Sequence, residues 1–216
     1  MSKAFDHVNY WKLFNQLLDD GVECILVELL AYWYCNQEAS IIWINSRSGT
    51  FYIANGTKQG GVLSPYLFIR YIRLVLLAVS NSRVGCTVAD TVINILAYAD
   101  DIVLLALSWR ALQHLISVLE ACRIQLDLTC NTKKTVRMVF APCNKSRIVS
   151  DIFPNFVLCG QPLQFVSEFR YLGHIISNQH KDDTDIACEI CCMYPRVNML
   201  IHKFHKCSTE VRIRLL

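Results

Sequence analysis

The stretch that decides the fold is Tyr98-Ala99-Asp100-Asp101, which lies between the apolar runs 92–97 and 102–106. Two apolar runs of strand length around a short polar break are typical of a β-hairpin. Desolvating a carboxylate is costly, and two adjacent carboxylates also repel each other, so acids in this setting favour a bound divalent cation. The alternative is a solvated turn in which Asp100 and Asp101 merely end two strands.

The composition limits the class of protein. The chain has 216 residues, 53% of them hydrophobic, which is enough for a folded core and too apolar for disorder. Charged residues interrupt each long apolar run, so we expect no transmembrane helix. The 11 cysteines are odd in number and follow no signal peptide, which favours reduced thiols in an intracellular protein, nuclear or cytoplasmic and not secreted.

Charge and cysteine spacing leave two interpretations open. Residues 131–216 hold 12 basic and 7 acidic side chains and residues 1–130 hold 9 and 11, so the second part is the better surface for a polyanion, although a solvated mixed surface explains the same numbers. Cys188, Cys191, His202 and His205 are zinc-ligand types. Their spacing is short for a common zinc finger, and cysteines near 190 fit one helix face, which favours core packing.

Periodicity predicts the elements of the first third of the chain. A buried helix is predicted to start near Val8 and to continue through the inward side chains Ile25, Leu26, Leu29, Leu30 and Trp33. The runs 41–44 and 51–53 predict an antiparallel pair joined by the loop 45–50.

Capping signals and short apolar runs predict the remaining elements. Ser64 as N-cap with Pro65 after it predicts a helix to about Val79, and Ser108 caps a second helix with Leu112, Leu115, Ile116, Leu119 and Leu126 inward. Strands are predicted at 135–140, 157–163 and 169–177, and the tail 182–216 is helical in pattern. This succession predicts an α+β fold, an antiparallel sheet with helices packed on one face.

Five segments in a fixed order carry a family resemblance. They are Ser2-Lys3-Ala4-Phe5-Asp6, Gly56-x-x-Gln59-Gly60-x-x-x-Ser64-Pro65, Tyr98-Ala99-Asp100-Asp101, Asn131-x-x-Lys134-Thr135 and Phe169-x-Tyr171-Leu172-Gly173. Together they resemble the reverse transcriptases, and more narrowly the polymerases of non-long-terminal-repeat, LINE-like retrotransposons. The resemblance implies a polymerase palm over residues 1–165, then a primer-grip strand and the start of a thumb-like helical region over 166–216, with the fingers missing and the thumb incomplete.

The resemblance implies a reaction, its cofactor and its partners. The reaction is RNA-templated DNA synthesis, in which two metal ions activate the primer 3′-hydroxyl and neutralise the triphosphate. Asp100 and Asp101 would bind Mg²⁺, with Mn²⁺ as the alternative, and Lys134, or its neighbour Lys133, would lie near the departing pyrophosphate. The implied partners are an RNA template, a DNA primer and deoxynucleoside triphosphates, with no membrane and no obligate protein partner.

Further residues match substrate contacts of the family. Phe5 matches the bulky residue that excludes a 2′-hydroxyl, with ordinary core packing as the alternative. Gln59 and Gly60 match the loop over the incoming nucleotide, where glycine lets the backbone approach and the amide can bond the substrate. Tyr98 matches the support of the primer end, and Tyr171-Leu172-Gly173 matches the primer-grip turn.

The first motif departs from the family pattern. The family has a metal-binding aspartate five residues before Phe5, a place that falls immediately before Met1. Asp6 cannot replace it, because it would lie roughly 20 Å further along the strand. We therefore expect the isolated chain to be inactive as a polymerase. The alternative function is a non-catalytic retrotransposon remnant that binds nucleic acid weakly.

Overall fold

The computed structural model describes residues 4–58, 60–140 and 153–215. After a 3₁₀ turn at Ala4–His7, the helices are α1 (Tyr10–Asp19), α2 (Cys24–Cys35), α3 (Ser64–Asn81), α4 (Trp109–Gln125), α5 (Asp183–Lys203) and α6 (Thr209–Leu215). The strands are β1 (Glu38–Ala39), β2 (Ile42–Trp43), β3 (Ser46–Arg47), β4 (Phe51–Tyr52), β5 (Cys86–Val88), β6 (Thr91–Ile93), β7 (Ile95–Tyr98), β8 (Asp101–Leu104), β9 (Val136–Arg137), β10 (Val157–Leu158), β11 (Gln161–Pro162), β12 (Gln164–Phe165), β13 (Glu168–Tyr171) and β14 (His174–Ser177).

The strands pair as small separate sheets. Within the described residues there are seven two-stranded sheets, of which β9–β12 is parallel and the rest are antiparallel. The predicted α+β class is confirmed in this form, as helices combined with small antiparallel sheets. The predicted single sheet is not what the pairing forms, and a palm-type layer stays a prediction.

The chain divides into two compact units. The described part of the first comprises 4–58, 60–135 and 153–163, and that of the second comprises 136–140 and 164–215. The first unit therefore contains α1 to α4 with the hairpins β1–β8 and β10–β11. The second contains β9, β12, the hairpin β13–β14, α5 and α6.

The core of the first unit forms around α3. Its inward side chains are Leu67, Phe68, Tyr71, Ile72, Val75 and Val79, all buried at helical spacing. Tyr71 is fully buried, and its hydroxyl donates to the Leu126 carbonyl at the end of α4. The same oxygen accepts from the Asn9 amide, 3.4 Å away, at the N-cap of α1. One side chain thus ties three helices together.

The single buried helix predicted from Val8 is wrong, because the chain breaks between α1 and α2. Gly21 has a φ of +80°, a left-handed conformation that ends α1. The predicted inward residues are exposed, Ile25 at 70% and Leu29 at 64%, and only Leu30 of that set is half-buried. Since α2 is apolar on nearly every side, periodicity could not select the face that packs.

The buried face of α2 instead carries Tyr34. Its ring meets that of Tyr10 edge to face at 5.1 Å between centroids and that of Phe14 at 6.3 Å. Aromatic pairs of this geometry stabilise a contact beyond their buried area. The α1–α2 interface is therefore an aromatic cluster.

The pairing predicted between 41–44 and 51–53 is also wrong. Ile42–Trp43 pairs with Ser46–Arg47 through a two-residue turn at Ile44-Asn45, whose φ angles are +41° and +63°. Phe51–Tyr52 pairs with Glu38–Ala39 around this inner hairpin. A turn with two left-handed residues matches the strand twist, so the chain reverses earlier than the loop length suggested.

Three further predictions concern one strand and two helix caps. The strand predicted over 169–177 is the hairpin β13–β14, which turns at Leu172 and Gly173 with φ angles of +50° and +97°. The helix predicted from Ser108 is confirmed, since Ser108 Oγ accepts from the Ala111 amide at 3.2 Å. At α3 the N-cap is Leu63, and Ser64 Oγ instead donates to the Lys58 carbonyl at 2.5 Å.

In the second unit, Asp185 joins the first turn of α5 to β14. Its carboxylate accepts from the Ile175 amide at 2.7 Å and lies 3.0 Å from His174 Nδ1. The hydrogen bond from the Ile175 amide, followed by that of His174, lowers the pKa of Asp185 below its ordinary value. The charged form of this side chain therefore holds the helix on the hairpin.

Replacing Tyr71 with Phe should lower the free energy of unfolding by about 1–3 kcal/mol, because the Leu126 carbonyl and the Asn9 amide lose a buried partner. Chemical denaturation measures this. Tyr66→Phe is the matched control, since Tyr66 lies on the same helix with 49% of its surface exposed. Equal stability of the Tyr71→Phe chain and the wild type would contradict the bridging role.

Asp185 should make the stability of the second unit depend on pH in the acid range. Because its folded-state pKa is lowered, its contribution is present above the unfolded value of about 3.8 and is lost as pH falls through the folded value. We expect amide exchange in α5 to be faster in Asp185→Asn than in wild type at pH 7, with the difference vanishing in acid. Asp183→Asn, on the same first turn, should show no such difference.

Candidate active site

The hairpin β7–β8 carries the aspartate pair at its tip. Tyr98 pairs with Asp101, so Ala99 and Asp100 are the two turn residues, and Ala99 has a φ of +50°. Tyr98 and Asp101 are exposed and Asp100 is half-buried. The predicted hairpin is confirmed, but the tip is open to solvent. The desolvation cost, which was the argument for a bound metal ion, therefore acts in part on Asp100 and not on the exposed Asp101.

Asn94 fixes the base of this hairpin to α3. It is buried, and its Nδ2 donates to the Val79 carbonyl at 2.7 Å and to Ser82 Oγ at 3.2 Å. Its backbone carbonyl accepts from the Leu105 amide at 2.9 Å across the hairpin. Sequence reasoning missed Asn94, although a lone amide in the apolar run before Tyr98 was a visible signal, since buried polar groups need partners.

Phe5 rests on the other end of the same helix. Its ring is half-buried and stacks on Phe68 with 4.3 Å between centroids and 21° between planes. The Phe5 carbonyl accepts from the Thr57 amide at 2.7 Å, and the Val8 carbonyl accepts from the Gly56 amide at 2.9 Å. The glycine-bearing loop and the segment of Phe5 are therefore held together.

Gly56 is required for this contact. Its φ is +92°, and a Cβ on it would lie 2.9 Å from both the Cα and the carbonyl oxygen of Asp6. Gly60, with a φ of +78°, faces open space. Gln59, Ser2 and Lys3 lie outside the described residues.

The other predicted site residues are Lys134 and the turn 171–173. Lys134 is exposed near the end of the first unit, with its amide bonded to Asn131 Oδ1 at 3.2 Å. Tyr171, Leu172 and Gly173 form the β13–β14 turn of the second unit, where Tyr171 is half-buried and Leu172 exposed. The structure thus groups Phe5 with the Gly56 loop, and Tyr98 with Asp100 and Asp101.

The described residues contain no group of three or more His, Cys, Asp or Glu side chains placed to hold a metal ion. Asp100 and Asp101 supply two carboxylates, whose oxygens are the ligand type that Mg²⁺ prefers. For the cysteines of α5, core packing is only partly right, since Cys188 and Cys192 are half-buried and Cys191 is exposed. Among all the residues that the structure describes, no helix is long and apolar enough to cross a membrane.

A mixed helix and strand domain with adjacent aspartates at a hairpin tip fits the polymerase class that the motifs resemble. The family described as reverse transcriptase (RNA-dependent DNA polymerase) matches residues 1–176, and the chain belongs to this family. The resemblance drawn from the five segments is therefore confirmed.

Three similar proteins are Pol polyproteins of R2 retrotransposable elements. The polyprotein from Popillia japonica is 28% identical over 82% of this chain and 30% of its own length. That of Nasonia vitripennis is 24% identical over 82% and 18%. The R2DM polyprotein of Drosophila melanogaster is 33% identical over 54% and 11%. The chain thus spans less than a third of each of these relatives.

Gly56→Ala should lower the free energy of unfolding by about 1–3 kcal/mol, since the left-handed backbone and the contact with Asp6 both resist a Cβ. Denaturation measures the change. Gly49→Ala is the matched control, because Gly49 has open space around it and no left-handed φ. An equally small effect of both changes would contradict the close approach of the Gly56 loop to the Phe5 segment.

Proposed function

We propose that this chain is the palm of a polymerase that copies RNA into DNA, with Asp100 and Asp101 as its metal-binding catalytic carboxylates. The observation that carries the proposal is the position of this pair. Both acids lie at the tip of β7–β8 in a chain of the reverse transcriptase family, and Asn94 anchors the base of that hairpin in the core. A rigid anchor is what a positioned metal ligand needs.

Asp100 and Asp101 would hold Mg²⁺, or Mn²⁺ in its place. When bound, the metal supplies charge neutralisation at the triphosphate and activation of the primer hydroxyl. The exposed tip supports this role, because a carboxylate that binds substrate-bound metal must be accessible from solvent. Asp100 and Asp101 are two of the three metal-binding carboxylates that the family resemblance implies, and the third precedes Phe5.

Phe5 is proposed to select deoxyribose. Its ring is backed by Phe68, so it cannot retreat into the core without displacing a buried side chain. A stiffly supported aromatic edge is what steric exclusion of a 2′-hydroxyl requires. Gln59 and Gly60 would cover the nucleotide. The hydrogen bond from the Thr57 amide to the Phe5 carbonyl supports the proposal that this loop and Phe5 contact the same nucleotide.

The primer and the pyrophosphate have proposed contacts too. Tyr98, exposed beside Asp101, would support the primer end, and the Tyr171-Leu172-Gly173 turn would bind the primer backbone. Lys134 is proposed as the charge partner or proton donor of the departing pyrophosphate, because its ammonium is exposed to solvent. These roles follow from the family motifs.

The domain limits proposed are a palm over 1–165 and a primer-grip and thumb-like region over 166–216. The compact units support a boundary near 164, although residues 136–140 group with the second unit. The proposed partners, an RNA template, a DNA primer and deoxynucleoside triphosphates, are those of the family. The basic excess of residues 131–216 supports a nucleic acid partner.

A second candidate function is weak nucleic acid binding without catalysis, supported by the same basic excess. A polypeptide of these 216 residues alone contains two of the three implied carboxylates. We propose that it does not extend a primer by itself. Loss of a metal ligand removes charge and geometry together, so turnover falls by orders of magnitude.

Primer extension on an RNA template with Mg²⁺ tests the function. We expect no extension by residues 1–216 alone, and extension when the chain is joined to a preceding segment that places an aspartate five residues before Phe5. In that longer protein, Asp100→Asn should reduce extension on the order of 100-fold or more, because it removes a metal ligand while keeping the shape of the side chain.

Asp90→Asn is the matched control, since Asp90 is an exposed turn aspartate in the neighbouring hairpin β5–β6. It should leave extension unchanged. Equal loss in both variants would contradict a specific role for Asp100. If the longer protein binds a primer-template in a salt-dependent manner yet never extends it, the non-catalytic function is correct.

A further inference from the structure

The 21-residue helix α5 has no buried residue. Asp185 holds its first turn on β14, and the side chains of Cys188 and Cys192 on the same side are half-buried. A helix of this length with apolar side chains is normally stabilised by packing one face against a partner. The free face of α5 therefore needs an explanation.

Five apolar side chains of α5, three exposed and two (Val197 and Leu200) half-buried, follow a heptad pattern. Ile190 and Val197 occupy the a positions, and Ile186, Met193 and Leu200 occupy the d positions. Ile186 is 55% exposed, Ile190 46% and Met193 56%. Pro195 falls at an f position, on the side opposite this seam, so its ring does not obstruct it. This spacing is that of a coiled-coil surface, which we call the α5 seam.

The charges beside the seam are arranged antisymmetrically. Counting the N-cap Asp182, the four g positions are Asp182, Glu189, Arg196 and Lys203, acidic on the N-terminal side and basic on the C-terminal side. Asp182 and Lys203 are equally far from the point between Cys192 and Met193, and so are Glu189 and Arg196. Across the part of the chain that the structure describes, none of these four side chains forms an ion pair.

We propose that the α5 seam pairs with the α5 seam of a second copy of this chain, in antiparallel orientation about the point between Cys192 and Met193. In that orientation g residues face g residues, so Glu189 meets Arg196 of the partner copy and Asp182 meets its Lys203. Every g pair then joins opposite charges. A parallel pair would bring like ends together and leave these charges without partners.

The core of the antiparallel pair is complementary as well. Ile190 packs against Met193 of the partner copy and Val197 against its Ile186, which forms four apolar layers, while Leu200 lies opposite Asp183 of the partner copy beyond them. At the e positions, the small Ala187 faces the large Tyr194, which is 67% exposed. Four layers form a smaller interface than the standard of about 1,600 Å², so the dimer is expected to dissociate on dilution.

Sedimentation of the chain over a range of concentrations tests the pairing. We expect a monomer–dimer equilibrium that Met193→Lys abolishes, because the substitution places a charge in the seam. Met199→Lys is the matched control, since Met199 is 64% exposed on the same helix but outside the seam. A chain that stays monomeric, or a dimer that survives Met193→Lys, would overturn the proposal.

Charge reversal tests the orientation. Glu189→Arg alone and Arg196→Glu alone should each weaken the dimer about tenfold, because each turns two attractive pairs into repulsive ones. The double variant Glu189→Arg/Arg196→Glu should restore wild-type affinity. Failure of the double variant to recover would exclude the antiparallel register.

A zero-length carbodiimide cross-link gives an independent reading of register. Within one helix Asp182 and Lys203 are about 32 Å apart at 1.5 Å per residue, so a bond between their side chains can form only between copies. We expect mass spectrometry to find this cross-link in the dimer fraction and not in the Met193→Lys chain. Its absence from a wild-type dimer would contradict the antiparallel pair.

Discussion

The buried hydroxyl of Tyr71 is the interaction on which the first unit depends. It meets the end of α4 and the start of α1 from the middle of α3, so three helices share one buried polar atom. A buried hydroxyl with two backbone partners restricts how the helices can slide past one another, because any shift leaves a polar group without a partner. The position of α3 is therefore well determined.

The two groups of candidate site residues, Phe5 with the Gly56 loop and the aspartate hairpin β7–β8, both contact α3. Phe68 supports the ring of Phe5, and the Val79 carbonyl holds Asn94 at the base of the aspartate hairpin. Two-stranded hairpins are marginal on their own in water. In this chain the β7–β8 hairpin owes its position to a helix and not to a neighbouring strand among the described residues. The site geometry is thus a property of helix packing.

How much could be predicted from the sequence depended on whether the deciding signal was local. The cap at Ser108 and the hairpin around Asp100 were predicted correctly, because a cap or a tight turn is decided by a few neighbouring residues. The face of α2 was predicted wrongly, since a helix apolar all round has no preferred side. The strand partner of 42–43 was predicted wrongly, because the chain can reverse either through a longer loop or through the left-handed turn at Ile44-Asn45, and it adopts the turn.

The sequence by itself determined the family, the order of the motifs and the residue types that could bind metal and substrate, because these are written in short segments. Tertiary structure alone decided that Asn94 anchors the hairpin, that Phe68 backs Phe5 and that the tip carrying Asp101 is open to solvent. Those contacts join residues far apart in the chain. Their partners are selected by shape and by the need of buried polar groups for hydrogen bonds, which no local pattern records.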